Sequence, residues 1–153
     1  MKIYIDPCCY SRPYDDINHM IQPRVRAEVD AVVNAVDICN AEGFDVVGSK
    51  MVAFEINKIT KIEKLKNVTR FYRKTKTRNA AITPAVKTRV AELAAQGIKK
   101  LDAFHVALAE SIEADYLLTT DDRLEAAAKR LGVKTKVINP INFVKEYALW
   151  LLQ

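Results

Sequence analysis

Residues 101–124 read LDAFHVALAESIEADYLLTTDDRL: an acid, Asp102, opens an alanine-rich helical pattern, a short apolar run follows at Tyr116–Thr119, and a second acid, Asp121, closes it. The run Tyr-Leu-Leu-Thr is short and mostly apolar, as expected of a strand covered on both faces. In a parallel α/β sheet the carboxyl ends of the strands face the crevice where ligands bind, so Asp121 reads as half of an acidic site. The rest of the chain must supply the other half.

Outward from this stretch, strands and helices alternate. Lys2–Ile5 is a β-branched and aromatic strand ending in Asp6, and Pro7 stops it ahead of a polar, turn-rich loop, CCYSRPYDD. Val25, Val29, Val32, Val33 and Val36 fall at helical spacing, and Gly43 is a C′ stop, which predicts a helix over Arg24–Glu42. Phe44–Val47 reads as a second strand, Ser49 as the cap of a helix through Ile59, and a further helix carries a basic run. A strand over Ala80–Thr83 leads into Thr83-Pro84, an N-cap and a first-turn proline, for a helix that Gly97 ends. After the 101–124 stretch come a helix from Asp122 to Leu131, a strand at Thr135–Ile138 and a helix from Ile141. This alternation predicts a three-layer α/β/α domain with a central, mostly parallel sheet of about five strands, joined by right-handed crossovers. No repeat or linker divides it, so residues 1–153 are expected to form a single domain.

Composition narrows the function. Half of the 153 residues are hydrophobic, enough to bury a sizeable core. No run approaches the ~18 consecutive apolar residues of a membrane span, and MKIYID is a strand pattern rather than a signal peptide, so a cytoplasmic protein with no membrane partner is expected. Cys8, Cys9 and Cys39 include no CxxC, and His19 and His105 complete no zinc pattern. With four glycines and no GxSxG, neither a phosphate-cradling loop nor a serine hydrolase is indicated.

The chemistry rests on the acids. Asp6 and Asp121 end strands that share one crevice if they are neighbours. Glu55 lies on the arc of Met51, Val52, Ile56 and Ile59, the apolar side of its helix. Asp102 is the fourth. Each also has a plainer role: Asp102 as a helix cap, Glu55 as a surface residue, Asp6 as a turn former, and Asp122 with Glu125 as a capping box. Together they imply more. Carboxylates gathered within ~5 Å repel by about 3 kcal/mol per pair at an effective dielectric near 20, so a fold that gathers them needs cations, and hard divalent ions suit oxygen ligands.

Asp6, the helical Glu55, the run LDAFHVALAESIEADYLLTTDD and the closing VINPINFV resemble the PIN-domain nucleases over essentially the whole chain, most closely the single-domain VapC-like ribonuclease toxins of toxin–antitoxin pairs. The resemblance implies a Mg²⁺- or Mn²⁺-dependent endoribonuclease with Asp6, Glu55, Asp102 and Asp121 as metal-binding and catalytic acids and Asp122 as an auxiliary acid or cap. It also implies an RNA substrate and an antitoxin partner. One departure stands out. Pro7 and Cys8 occupy places where the family has threonine and then asparagine or serine, and a thiol is a poor hydrogen-bond partner for Asp6. That departure keeps a non-cutting nucleic-acid-binding module as the alternative.

Charge agrees with a nucleic-acid substrate. Between Lys58 and Arg78 nine basic residues face one acid, Glu63, for a local charge of +8, whereas the whole chain carries +5. Lys64, Arg70, Arg73 and Lys74 in this run, and Arg12 in the loop after the first strand, are the candidate RNA contacts; a solvated helix face and an ion-paired loop are the alternatives. Phe71 and Tyr72 either stack on bases or pack in the core. His105 either contacts substrate or packs in its helix. The tail FVKEYALWLL, with Phe143, Tyr147, Trp150 and Leu151, packs back on the sheet or forms a homodimer contact. A phospho-acceptor receiver domain also gathers aspartates at strand ends, but it needs an acceptor aspartate after the middle strand, where this chain has Thr83-Pro84.

Overall fold

In the computed structural model, which describes residues 1–153, the apolar run Lys2–Ile5 becomes β1 at the centre of a five-stranded parallel sheet. The other strands are β2 (Asp45–Ser49), β3 (Arg78–Ala80), β4 (Tyr116–Leu118) and β5 (Lys136–Ile138), in the order β3-β2-β1-β4-β5. Helices fill every connection: α1 (Pro7–Ser11), a 3₁₀ turn (Arg12–Tyr14), α2 (Ile17–Met20), α3 (Pro23–Glu42), α4 (Lys50–Ile56), α5 (Ile62–Thr75), α6 (Pro84–Ala95), α7 (Lys100–Ser111), α8 (Asp122–Arg130) and α9 (Pro140–Leu151). None is long and apolar enough to cross a membrane.

Pairing parity separates the layers. Ile3 pairs with Tyr116, so those side chains share a face, and Tyr116 meets Phe143 of α9 edge-on at 5.1 Å. Tyr4 points to the opposite face, onto His105 of α7. With α3 packed on α9 and α6 on α7, the predicted three-layer α/β/α arrangement is present. Ile3, Ile5, Val46, Val47, Leu117 and Leu118 are buried, as strands covered on both sides must be.

Several boundaries differ from the sequence reading. The segment after Asp6 is not a turn-rich loop: Pro7 takes the first helical position of α1, where its missing N–H costs nothing, and short helical turns continue to Met20. β2 and β3 are shifted, to Asp45–Ser49 and Arg78–Ala80, because ladder bonding to β1 and β2, rather than local propensity, sets their ends. The helix that Ser49 caps ends at Ile56, short of Ile59. In α3 the buried stripe runs through Val25, Glu28, Val32, Ala35 and Cys39, leaving Val33 exposed.

The close fit of β2 to α5 depends on one glycine. A Cβ on Gly48 would lie 2.3 Å from the Tyr72 hydroxyl and 2.9 Å from its ring. That approach lets Tyr72 donate to the Ser49 carbonyl (3.2 Å) and accept from the Ser49 amide (3.1 Å), fixing the end of β2 where α4 begins.

Candidate metal centre

β1 and β4 are neighbours, which brings Asp6 and Asp121 to the same crevice. The Asp6 amide donates to Leu118 O (2.9 Å), carrying the ladder one residue past β1. Asp6 occupies the N-cap position of α1, yet its carboxylate makes no cap bond. It accepts instead from the Thr119 hydroxyl (2.8 Å), and Thr119 in turn accepts from the Asp121 amide (3.1 Å). The orienting hydroxyl that the residues after Asp6 lack is thus supplied from the end of β4. Cys8 sits alongside, accepting from the Thr120 amide at 3.4 Å.

Glu55 lies in the last turn of α4, a helix started by the Ser49 side chain accepting from Val52 N (3.1 Å). It turns inward and meets Nε2 of His105. His105 is completely buried, and its Nδ1 meets the Tyr4 hydroxyl at 2.8 Å, so the residue expected to serve packing also joins the acids. One ligand atom each from Asp6, Glu55 and His105 lie within 4.8 Å of one another.

Burial raises the pKa of Asp6 and the Glu55 charge adds to this, against the lowering pull of His105 and Thr119. Asp102, in the first turn of α7, is half-buried; burial, then the charges of Asp6 and Asp121, push its pKa up to about 6. For His105 burial disfavours the imidazolium, but the bond to Glu55 and the charges of Asp6, Glu55 and Asp102 outweigh it and the pKa is raised.

Asp121 caps a helix and also adds its charge to the acids. Its Oδ1 accepts from the amides of Arg123 (2.9 Å) and Leu124 (3.3 Å) as the N-cap of α8, while its charge acts on Asp102. The cap is therefore Asp121, whose backbone is extended, and not Asp122, which is already helical. Asp122 is exposed and paired with Arg24 at 2.5 Å.

None of Asp6, Glu55, Asp102 and Asp121 pairs with a lysine or arginine, and His105 is the one cationic side chain against them. Carboxylates drawn together with one of them buried, and with a single histidine as counter-charge, are costly, so this set fits a divalent cation on oxygen ligands. Asp6 and Glu55 would hold it, with Asp102 and Asp121 beside them.

The basic candidates divide. Arg12 is tied to Asp15 (2.9 Å) and Glu28 (3.2 Å), and Lys64 to Asp15 (3.1 Å), so both belong to one ion-paired network around Asp15. Arg70, Arg73 and Lys74 have no acidic partner and line, with Asn57 and Lys66, a groove of about 510 Å³ that starts two residues from Glu55. Phe71 packs edge-on against Tyr10 at 5.5 Å and Tyr72 is buried, so neither is presented for stacking.

Sequence reasoning passed over Thr119, Tyr4, Ser49 as the hydroxyl partner of Tyr4, and Glu28. Glu28 is buried and accepts from Asn139 Nδ2 (2.6 Å), tying α3 to the end of β5. Two signals were present: Tyr4 shares the strand parity of Asp6, and Glu28 lies on the arc of Val25 and Val32, just as Glu55 lies on an apolar arc.

A family profile described as PIN domain matches residues 21–130. Among solved structures, the crystal structure of VapBC2 from Rickettsia felis bound to a DNA fragment from their promoter is similar at TM-score 0.60 and 14% sequence identity, covering 91% of this chain and 98% of that chain. At that identity the likeness is one of fold. No curated protein matches the sequence.

Proposed function

The chain belongs to the PIN-domain family, and on that premise we propose that it is a Mg²⁺- or Mn²⁺-dependent endoribonuclease acting in the cytoplasm, with Asp6, Glu55, Asp102 and Asp121 as its working acids. One observation carries the reading: Asp6 and Glu55 lie together with His105, the charges of Asp6, Asp121 and Glu55 act on Asp102, and no lysine or arginine pairs with any of the four. A bound ion would supply water activation and charge neutralisation at a phosphodiester. Thr119 holds Asp6 in place, Glu55 is held by His105, and Asp102, with a pKa near 6, is ionised at neutral pH. The Thr119 bond supports an oriented Asp6 despite the departure at Pro7-Cys8, which keeps a non-cutting module as the alternative. Incubating a mixed RNA pool with the protein plus Mn²⁺, Mg²⁺ or EDTA tests this. Metal-dependent cleavage is expected; RNA bound but intact with either ion would leave the binding module.

The groove of Arg70, Arg73 and Lys74 is the proposed path of the RNA backbone. Reversing all three to glutamate should weaken binding for every sequence alike and flatten its salt dependence by about three phosphate contacts' worth of slope. Unchanged affinity would place the path elsewhere.

We propose an antitoxin partner on the strength of the fold shared with the toxin–antitoxin complex VapBC2. A homodimer is proposed on α9, where Leu149, Trp150 and Leu151 are each more than half exposed, although Phe143 is buried against the sheet. Trp150→Glu should shift sedimentation towards monomer; equal sedimentation of the two proteins removes the idea.

A further inference from the structure

We propose that His105, Tyr4 and Ser49 form a positioning relay that fixes the Glu55 carboxylate for its cation, with none of the three serving as a ligand. The inference rests on reading Glu55 as a metal ligand. Ser49 Oγ and Tyr4 Oη are 2.8 Å apart, Tyr4 Oη and His105 Nδ1 are 2.8 Å apart, and His105 Nε2 meets Glu55 Oε2. Ser49 also caps α4, the helix that carries Glu55, so the chain of bonds closes into a ring through α4 itself.

A proton count fixes the directions. An ionised carboxylate only accepts, so Nε2 carries a hydrogen in both the neutral and the charged ring. With the ring neutral, Tyr4 donates to Nδ1 and Ser49 donates to Tyr4. With the ring charged, both hydroxyls turn: Nδ1 donates to Tyr4 and Tyr4 to Ser49. Two hydroxyls in series thus reverse with the ring, and Glu55 receives the same donor throughout. The bond engages Oε2 and leaves Oε1 for the cation. Tyr4, Ser49 and His105 are all fully buried, so no water competes for these bonds.

The test is a double-mutant cycle read by Mn²⁺ titration calorimetry. Tyr4→Phe removes one oxygen and keeps the ring, and it should weaken Mn²⁺ affinity about tenfold, the usual size of an outer-shell loss. In a Glu55→Gln background, already weakened, Tyr4→Phe should cost nothing more. A merely structural role for Tyr4 would lower affinity equally in both backgrounds and overturn the relay. His105→Gln retains a donor towards Glu55 and should bind Mn²⁺ more tightly than His105→Leu; equal binding by those two also counts against it. If ¹⁵N spectra show Nε2 losing its hydrogen on Mn²⁺ addition, His105 is a ligand and the relay is wrong. Wild-type affinity in Glu55→Gln would sink the metal-ligand reading and the relay with it, whereas a Glu55-dependent affinity indifferent to Tyr4 would sink the relay alone.

Discussion

Asp6→Asn is expected to reduce RNA cleavage by at least about a hundredfold while leaving the metal-free fold as stable as the wild type or more so. Loss of an outer-shell partner typically costs 10- to 100-fold, and Asp6 is placed to touch the ion itself. Asparagine keeps the shape and can still accept from Thr119, so packing is preserved. The pKa of Asp6 is raised in the folded protein, mainly by burial. A carboxyl of that kind stabilises the fold when protonated, below its unfolded value, and this contribution is lost as pH rises through the folded value. Asp102 behaves likewise, with its loss centred near pH 6. The metal-free wild type should therefore gain melting temperature on acidification from pH 7 towards pH 4, and Asp6→Asn should flatten that gain. Mn²⁺ at about 100 times its Kd should stabilise the wild type by roughly 2.7 kcal/mol at neutral pH and the variant far less. Robust cleavage by Asp6→Asn at matched Mn²⁺ would remove Asp6 from the centre.

Gly48→Ala should give the largest loss of stability from a single methyl group. The backbone of Gly48 lies at no positive φ, so alanine meets no conformational strain there. The added carbon instead lands 2.3 Å from the Tyr72 hydroxyl. Tyr72 is buried between Tyr10 and β2, and moving it breaks its two bonds to the Ser49 backbone. Overpacking typically costs 1–3 kcal/mol and a buried hydrogen bond about 1 kcal/mol, so a loss of roughly 3 kcal/mol is expected, or about 6–12 °C in melting temperature. Thermal unfolding by circular dichroism checks this. A shift under about 2 °C would mean that Tyr72 swings aside at little cost. The same displacement loosens Ser49, so Mn²⁺ affinity should fall as well.

Much of this fold could be read from local patterns. Gly43 does end α3 in the left-handed region, Thr83 and Pro84 do start α6, and Asp6 and Asp121 do follow neighbouring strands, because caps and strand ends are encoded within a few residues. What escaped the sequence depends on partners far along the chain. Thr119 reaches Asp6 across 113 residues and His105 reaches Glu55 across 50, and neither threonine nor histidine carries a local sign of its partner. Pro7 was misread because a proline that ends a strand can equally occupy the first turn of a helix, and the length of α1 is set by its packing on α4 and α5. For Arg12 and Lys64 an RNA contact and an ion-paired or solvated role stayed open, because Asp15, which binds both, gives no hint in sequence of which way it faces.

The pairing of β1 with β4 has a consequence for the order of manufacture. Asp6 leaves the ribosome near the beginning of synthesis, but the Leu118 carbonyl and Thr119 hydroxyl that hold it come more than 110 residues later. At ~5–20 residues per second that delay is roughly 6–20 s. Until then β1 has only β2 to pair with, and the acids are not assembled around any ion. A partly synthesised chain therefore holds no working centre, and a protein that cuts RNA would become active only once nearly four-fifths of it has been translated.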